Sequence, residues 1–222
     1  VARSTYSADP KLRDCSGTPI GILEALAAWP AEAPFLDETH RADDLLTLKA
    51  IAYAGANQSP RLVSARAGPS TVPTQITGNP ILAGERPLAT CLPPSERFDL
   101  GLDARLIEIG PHDRFGMLRQ LPKGLTAAAF ADSLKRMSAA TGGNLFKAWI
   151  KTLSQNHGRF KTWSLEAIPK IKAELVRDLD PADAVGHRQA DGVAVIVFAG
   201  QLATKLELWN ISKDTCLAAG IE

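Results

Sequence analysis

The chain has 222 residues, of which 45% are hydrophobic and 22% are charged, and its formal net charge is +1. This is the balance of an ordinary globular protein, and the length suffices for one large domain or two small ones. The near-neutral charge excludes a global basic field for nucleic-acid binding, so such binding requires a local patch.

Cysteine usage and hydropathy narrow the class of protein further. Cys15, Cys91 and Cys216 lie far apart in the sequence, which argues against a zinc site and against a disulfide scaffold. No apolar run reaches the roughly 18 residues of a membrane span, and no signal peptide is visible. We therefore expect a cytoplasmic protein with free thiols and no membrane association.

An apolar stretch that ends in two carboxylates is the first feature with chemical meaning. It follows a predicted helix over residues 20–29, which Pro30 ends, and runs from Pro34 to Leu36 before Asp37 and Glu38. Catalytic groups of open α/β sheets collect at the carboxyl ends of strands. In P-loop ATPases an Asp in this position holds Mg²⁺, and a neighbouring carboxylate orients or deprotonates the attacking water. The same pattern also marks any strand that meets solvent.

A second predicted helix and a basic loop come next. Residues 42–54 have the apolar spacing of a helix. The loop over residues 56–70 carries Arg61 and Arg66 but no acidic residue. Both arginines suit a solvated loop, and they equally suit phosphate contact, either to nucleotide on a neighbouring subunit or to nucleic acid.

Three further strands are predicted before residue 120. Residues 71–76 form the first, which ends at Thr77 and Asn79, where a polar side chain can sense a γ-phosphate and where a turn explains the residues equally well. Residues 104–109 alternate in polarity and predict a second strand, and residues 115–118 predict a third.

After residue 120 the pattern becomes helical. Helices are predicted over residues 127–140, 144–156, 165–179, 189–206 and 211–219. By propensity alone residues 193–199 suit a buried strand, but the length of the apolar pattern favours a helix. The chain therefore divides into an α/β part over residues 1–120 and a helical part over residues 121–222.

Residues 135–172 of the helical part are basic, and aromatic residues are interleaved with the basic ones. The basic residues are Lys135, Arg136, Lys147, Lys151, Arg159, Lys161, Lys170 and Lys172, and the aromatic ones are Trp149, Phe160 and Trp163. Such a mixture can bind single-stranded nucleic acid by phosphate contact and base stacking. The simpler interpretation, which we favour at this point, places the aromatic rings in the core and the lysines on solvated helix faces.

The order of these motifs resembles the C-terminal half of a family of P-loop ATPases associated with phages and plasmids. That family is described as helicase-like, is catalogued as a domain of unknown function, and occurs beside primase-type domains in mobile elements. The resemblance is carried by residues 18–27, Phe35-Leu36-Asp37-Glu38, residues 52–57, Arg105-Leu106-Ile107-Glu108-Ile109 and residues 188–203.

The resemblance implies a fold, an activity and roles for particular residues. The fold would be α/β, with a P-loop NTPase-like sheet core and a C-terminal helical subdomain. The activity would be ATPase or helicase-like work in DNA replication of a mobile element, with ATP and Mg²⁺ as cofactors and with a homo-oligomeric ring and single-stranded DNA as partners. By this resemblance Asp37 ligates Mg²⁺, Glu38 activates water, Thr77 or Asn79 senses phosphate, and Arg61 or Arg66 is the arginine finger in trans.

The chain departs from the family pattern in one respect that matters for the chemistry. No G-x-x-x-x-G-K-[ST] segment occurs, so there is no recognisable Walker A loop to hold the phosphates on backbone N–H groups. ATP hydrolysis would then need a P-loop supplied by an upstream segment or by another chain. We therefore expect a fragment or a degenerate copy of such an ATPase. The alternative is a non-catalytic module that binds nucleic acid or another protein.

Two other interpretations use the same carboxylates. Asp37-Glu38-Thr39-His40 matches the D-E-x-H pattern of superfamily II helicases, although the other motifs of that group are absent. A metal hydrolase built on Asp37, Glu38 and His40 would need a further ligand, for which His112 and His157 qualify by residue type alone.

Overall fold

The computed structural model of the chain describes residues 12–14, 22–23, 26, 35–37, 39, 45–57, 79–87, 90, 100–110, 121–141 and 143–221. They belong to two compact units, one within Lys11–Glu108 and the other within Ile109–Glu222. The boundary predicted at residue 120 lies outside the described residues. None of the described helices is both long enough and apolar enough to cross a membrane.

A small parallel sheet gives the first unit its framework. Its strands are β1 (Leu12–Asp14), β2 (Phe35–Asp37) and β3 (Ile81–Leu82), with β2 in the middle. The pairing continues beyond β3, because the N–H of Ala83 donates to the carbonyl of Leu36 at 2.9 Å. Leu36 itself is buried, so the middle strand anchors the sheet in the core.

One helix supplies most of the described core of this unit. Helix α1 (Leu45–Asn57) buries Leu48, Ile51, Ala52 and Gly55, which recur at the i, i+3, i+4, i+7 spacing of one helix face. Leu48 and Ile51 are fully buried in a cluster that also contains Leu36. A Cβ at Gly55 would lie 2.7 Å from Cδ of Pro80, so the absence of a side chain lets the segment before β3 pass close to the helix.

The predicted P-loop NTPase-like sheet core is wrong. The protein is mostly helical, and the described sheet consists of three strands of two or three residues each. Such a sheet is too small to be the centre of an α/β layer architecture. The strands predicted over residues 71–76 and 115–118 lie outside the described residues.

The strand predicted over residues 104–109 is also wrong. A short helix, α2 (Leu100–Asp103), precedes this segment, and the N–H of Leu106 donates back to the carbonyl of Asp103 at 3.3 Å. Residues 107–109 are all exposed, so their alternation in polarity does not correspond to one buried face and one solvated face. A strand needs a neighbouring strand for its hydrogen bonds, and an alternating sequence does not show whether one is available.

Five helices make up the described part of the second unit. They are α3 (Ala127–Thr141), α4 (Asn144–Gln155), α5 (His157–Leu175), α6 (Ala184–Lys205) and α7 (Lys213–Ile221). The helices predicted in this part are confirmed, with different bounds. Residues 157–164, left between two predicted helices, form the first two turns of α5. Gly143, with φ of 74°, separates α3 from α4 in a conformation that favours glycine.

Helices α5, α6 and α7 pack around an apolar cluster formed by Ile171, Ala194 and Val197. Within residues 193–199, predicted as helix against strand propensity, Ala194 and Val197 are buried while Val195 and Ile196 are 51% and 60% exposed. A strand would bury alternate residues, whereas a helix buries residues three or four apart, so the burial pattern agrees with the helix.

Candidate functional site

Asp37 lies where the sequence predicted it, at the carboxyl end of a strand. It is the last residue of the central strand β2, it is half-buried, and the parallel register pairs it with Asp14, the last residue of β1. Two aspartates therefore end neighbouring strands at the same edge of the sheet. This is the position at which α/β sheets place metal-binding and catalytic residues.

Asn79, which was predicted as a phosphate sensor in alternative to Thr77, lies at the opposite edge. The register pairs Phe35 with Ile81. Asn79 lies two residues before Ile81, whereas Asp37 lies two residues after Phe35. The two residues are four register positions apart, about 13 Å at 3.3 Å per residue. The structure does not bring them together. The other predicted site residues lie outside the described residues: Glu38, Arg61, Arg66 and Thr77.

The residues that do follow β3 were missed by the sequence analysis. Glu85 and Arg86 are exposed just beyond β3, on the same edge as Asp37. The available signal was the apolar run Ile81-Leu82-Ala83 followed by Gly-Glu-Arg, which resembles the apolar-then-charged pattern of residues 35–38.

Close packing fixes the chain at this edge. The N–H of Thr39 donates to the carbonyl of Ala83 at 3.1 Å, which ties the segment after β2 to the end of β3. Thr39 is buried, and its hydroxyl occupies the space that a Cβ at Gly84 would fill. Only a glycine at position 84 allows the two segments to approach so closely.

The described residues at this edge do not by themselves form a nucleotide site. In the described part of the chain no three His, Cys, Asp or Glu side chains gather as metal ligands. The sequence contributes no phosphate-binding loop, and Asn79 lies at the far edge. ATP and Mg²⁺ therefore stay a prediction that depends on groups beyond these residues.

A second candidate site lies on the helical unit, in an open cleft with a volume of about 220 Å³. Its lining residues come from two facing helices and the start of a third: Trp163, Glu166, Ala167 and Lys170 of α5, Phe198, Gln201, Leu202 and Lys205 of α6, and Lys213 of α7. We call this surface the α5–α6 cleft.

Regular helical spacing brings these side chains together. The residues on each long helix stand at i, i+3, i+4 and i+7, so they share one helix face. Each face begins with an aromatic residue and ends with a lysine. Lys205 contacts Trp163 and Lys172 pairs with Asp191, so the two helices run in opposite directions. One end of the cleft therefore combines the Trp163 ring with the Lys205 ammonium group, and Lys170 and Phe198 also line the cleft.

Trp163 is the most heavily contacted aromatic ring of the cleft. The Nζ of Lys205 lies 3.5 Å from the ring centroid, and the Cζ of Arg159 lies 4.2 Å from it. The Phe160 ring packs beside it, with centroids 5.7 Å apart and an interplanar angle of 46°. Cation–π contacts of this kind are worth about 0.5–1 kcal/mol at exposed sites. They hold the indole in a defined orientation at the surface.

A hydrogen-bonded turn brings Lys213 to the cleft. The Nε1 of Trp209 donates to the carbonyl of Gly200 at 3.0 Å and to the hydroxyl of Thr204 at 2.9 Å, which fixes the turn after α6. The side-chain amide of Gln201 then donates to the carbonyl of Lys213 at 3.3 Å. The first residue of α7 is therefore positioned by α6.

The structure of the helical unit shows which residues of the predicted basic stretch lie on the same surface. Phe160 is buried, as the simpler interpretation expected, and Lys172 pairs with Asp191 at 2.5 Å. Trp163 and Lys170, in contrast, line the α5–α6 cleft. Lys205 and Lys213 were missed because they lie far along the chain, although the recurrence of aromatic and lysine at i and i+7 in residues 198–205 was a visible signal.

Comparison with known proteins gives a fold relationship. No protein-family model matches the chain, and no curated protein matches it either. The fold is similar to that of a solved structure described as "SCCmec type IV Cch - active helicase", with a TM-score of 0.63 and 18% sequence identity. The likeness covers 95% of this chain and 34% of that one, so the chain spans about a third of the helicase's length. The chain is therefore similar in fold to part of a helicase from a mobile element.

Proposed function

We propose that this chain is a helicase-like module that acts on single-stranded DNA in the replication of a mobile element. The observation that supports the proposal is the likeness in fold, over 95% of the chain, to part of a mobile-element helicase. The order of sequence motifs, which resembles a helicase-like family of phages and plasmids, points to the same class of protein.

ATP hydrolysis enters the proposal only through a phosphate loop from outside these 222 residues. An upstream segment or a different chain would have to supply the backbone N–H groups that hold the phosphates, because a second copy of this chain lacks the loop as well. Asp37 would then be the magnesium ligand at the carboxyl edge of the sheet, with Glu38 beside it in sequence. Arg61 or Arg66 would act across a subunit boundary.

A second candidate function is a module that binds nucleic acid or protein without catalysis. The absence of any G-x-x-x-x-G-K-[ST] segment favours this alternative, because an ATPase of this class requires such a loop. The two candidates differ in whether nucleotide is bound and hydrolysed, and contact with nucleic acid belongs to the first candidate and to one form of the second.

Titration calorimetry of the purified chain with Mg-ATP, with and without single-stranded DNA, separates these candidates. Micromolar binding of Mg-ATP supports the ATPase, and an Asp37→Asn, Glu38→Gln double variant should then lose hydrolysis while remaining folded. Unaltered hydrolysis in that variant would exclude the two carboxylates from the site. DNA binding without nucleotide binding supports the non-catalytic module. Binding of neither ligand would exclude the nucleic-acid role of both candidates and leave only the protein-binding form of the second.

A further inference from the structure

We propose that the α5–α6 cleft binds a single strand of nucleic acid, with bases stacked on Trp163 and Phe198 and phosphates held by Lys170, Lys205 and Lys213. Neither the sequence motifs nor the structural comparison assigns a function to this surface. The inference rests on the proposed function, because it names the place where a helicase-like module would contact its strand.

The charge of the cleft fits an anionic ligand. Three lysines line it against one carboxylate, that of Glu166. Lys170 and Lys213 make no ion pair and no side-chain hydrogen bond with any residue that the structure describes. Two ammonium groups of the cleft therefore have no acidic partner among the described residues, and phosphate oxygens would supply the opposite charge.

The aromatic residues fit a nucleobase. Trp163 and Phe198 both line the cleft together with the apolar side chains of Ala167 and Leu202, and Phe198 also packs against the cluster around Ile171. Every base has a π-face, so stacking on such rings tolerates any sequence. The side-chain oxygen of Gln201 and the carboxylate of Glu166 are acceptors that can meet the amino edge of a base.

The cations now over Trp163 do not prevent stacking. An exposed cation–π contact is worth about two- to fivefold in an equilibrium constant, whereas stacking of a base on an aromatic ring is worth about five- to 150-fold. A base can therefore displace Lys205 from the indole face. The displaced ammonium stays within reach of the phosphate attached to that base.

The size and shape of the cleft favour a polymer over a free nucleotide. Its volume of about 220 Å³ is below the roughly 300–1,000 Å³ of pockets that enclose small ligands. Trp163 and Lys170 are seven residues apart, which is about 10 Å along α5, or about three stacked nucleotides at 3.4 Å each. An open groove of this length suits a strand that runs across the surface.

The test is fluorescence anisotropy of the full chain with labelled oligothymidylate of about 12 nucleotides, within the site sizes of single-strand binders. Trp163→Leu should weaken binding about tenfold, whereas Trp163→Phe, which keeps an aromatic face, should stay within about threefold of the wild type. The oligonucleotide should also quench tryptophan fluorescence in the wild type and not in Trp163→Phe. Circular dichroism confirms that each variant is folded.

The salt dependence of oligonucleotide binding tests the contribution of the lysines separately from that of the aromatic rings. A Lys170→Gln, Lys213→Gln double variant should reduce the slope of log K against log salt by about 1.4, since each phosphate contact on a single strand contributes about 0.7. The matched control is Lys135→Gln, Lys161→Gln, which removes the same charge from exposed positions outside the cleft. It should leave the slope unchanged.

Each other outcome overturns a stated part of the inference. Wild-type binding that neither Trp163→Leu nor the lysine double variant weakens would place the strand elsewhere and leave the proposed function standing. No binding of oligonucleotide by the wild type would overturn this inference together with the single-stranded DNA part of the proposed function. Competition by AMP as strong as that by the oligonucleotide would assign the cleft to a free nucleotide.

Oligouridylate should bind within about threefold of oligothymidylate, because stacking and phosphate contacts do not read the 2′-hydroxyl.

Discussion

The two candidate sites of this protein are built in different ways. The edge of the sheet depends on which residues follow three short strands, and the register places Asp37 at one edge and Asn79 at the other. The α5–α6 cleft depends on two long helices whose faces repeat the same spacing. Helical spacing therefore identifies residues that share a face, whereas the ends of strands meet only if the pairing of strands is known.

The prediction with the largest expected effect tests whether the two units unfold independently of each other. Ile51 in the core of the first unit is fully buried, and Ile171 in the core of the second is 7% exposed. Replacing either by Ala should cost about 3 kcal/mol of unfolding free energy in its own unit, because each leaves a cavity. The chain has four tryptophans, so both variants are made in a Trp29→Phe background, where the remaining Trp149, Trp163 and Trp209 all lie in the helical unit. Denaturant unfolding followed by tryptophan fluorescence should therefore shift in Ile171→Ala and much less in Ile51→Ala. An equal shift in both variants would show that the units unfold together.

A smaller effect tests the close packing at the sheet edge. Gly84→Ala should cost about 2 kcal/mol, since the added methyl group overlaps the hydroxyl of Thr39 and overpacking typically costs 1–3 kcal/mol. Thr39→Ala removes that hydroxyl. In a double-mutant cycle by urea unfolding, Gly84→Ala should cost at least 1 kcal/mol less in the Thr39→Ala background than in the wild type. Simple additivity of the two changes would contradict the contact.

The next prediction concerns the helical unit, where a side chain caps the first turn of α6. The carboxylate of Asp183 accepts the N–H of Gly186 at 2.9 Å and caps the helix. Asp183→Ala should destabilise the unit by about 1 kcal/mol, and Asp183→Asn, which keeps an acceptor, by less than half of that. Thermal unfolding by circular dichroism measures both. Equal losses would show that the carboxylate charge, and not the hydrogen bond, stabilises the helix start.

The smallest effect concerns the ion pair between the same two helices that form the cleft. Lys172 and Asp191 join α5 to α6 at 2.5 Å, but their side chains are 35% and 62% exposed. Solvent screens such a pair, so Asp191→Asn should cost about 0.5 kcal/mol or less. A loss above about 1.5 kcal/mol in urea unfolding would mean that this pair, and not the apolar cluster around Ile171, holds the helices together.

The sequence predicted the helical unit better than the sheet unit for a physical reason. Helices such as α3 form from hydrogen bonds and side-chain spacing within one segment, and the segment itself contains both. The pattern even gave the correct state for residues 193–199, against their strand propensity. Residues 104–109 had a clear strand pattern and form no strand, because a strand needs a partner that the segment does not contain.

The candidate sites show the same difference between what a single segment predicts and what contacts between segments decide. From the sequence alone, Asp37 could be placed at the end of a strand, and Trp163 and Lys170 could be recognised as part of a basic and aromatic stretch. The position of Asn79 at the far edge required the register of β3. The membership of Lys205 and Lys213 in the cleft required the pairing of α5 with α6.

The sequence by itself determined where the helices of the second unit form, which of their faces are apolar, and the absence of a phosphate-binding loop. These properties are local, because they depend on residues within a few positions of each other. Only the tertiary structure decided that the sheet is small, that Asn79 and Asp37 lie apart, and that an aromatic ring of α5 meets a lysine of α6. Those outcomes depend on contacts between segments that are distant in the sequence. The packing of side chains and the pairing of strands that stabilise such contacts involve two segments at once, so neither segment alone predicts them.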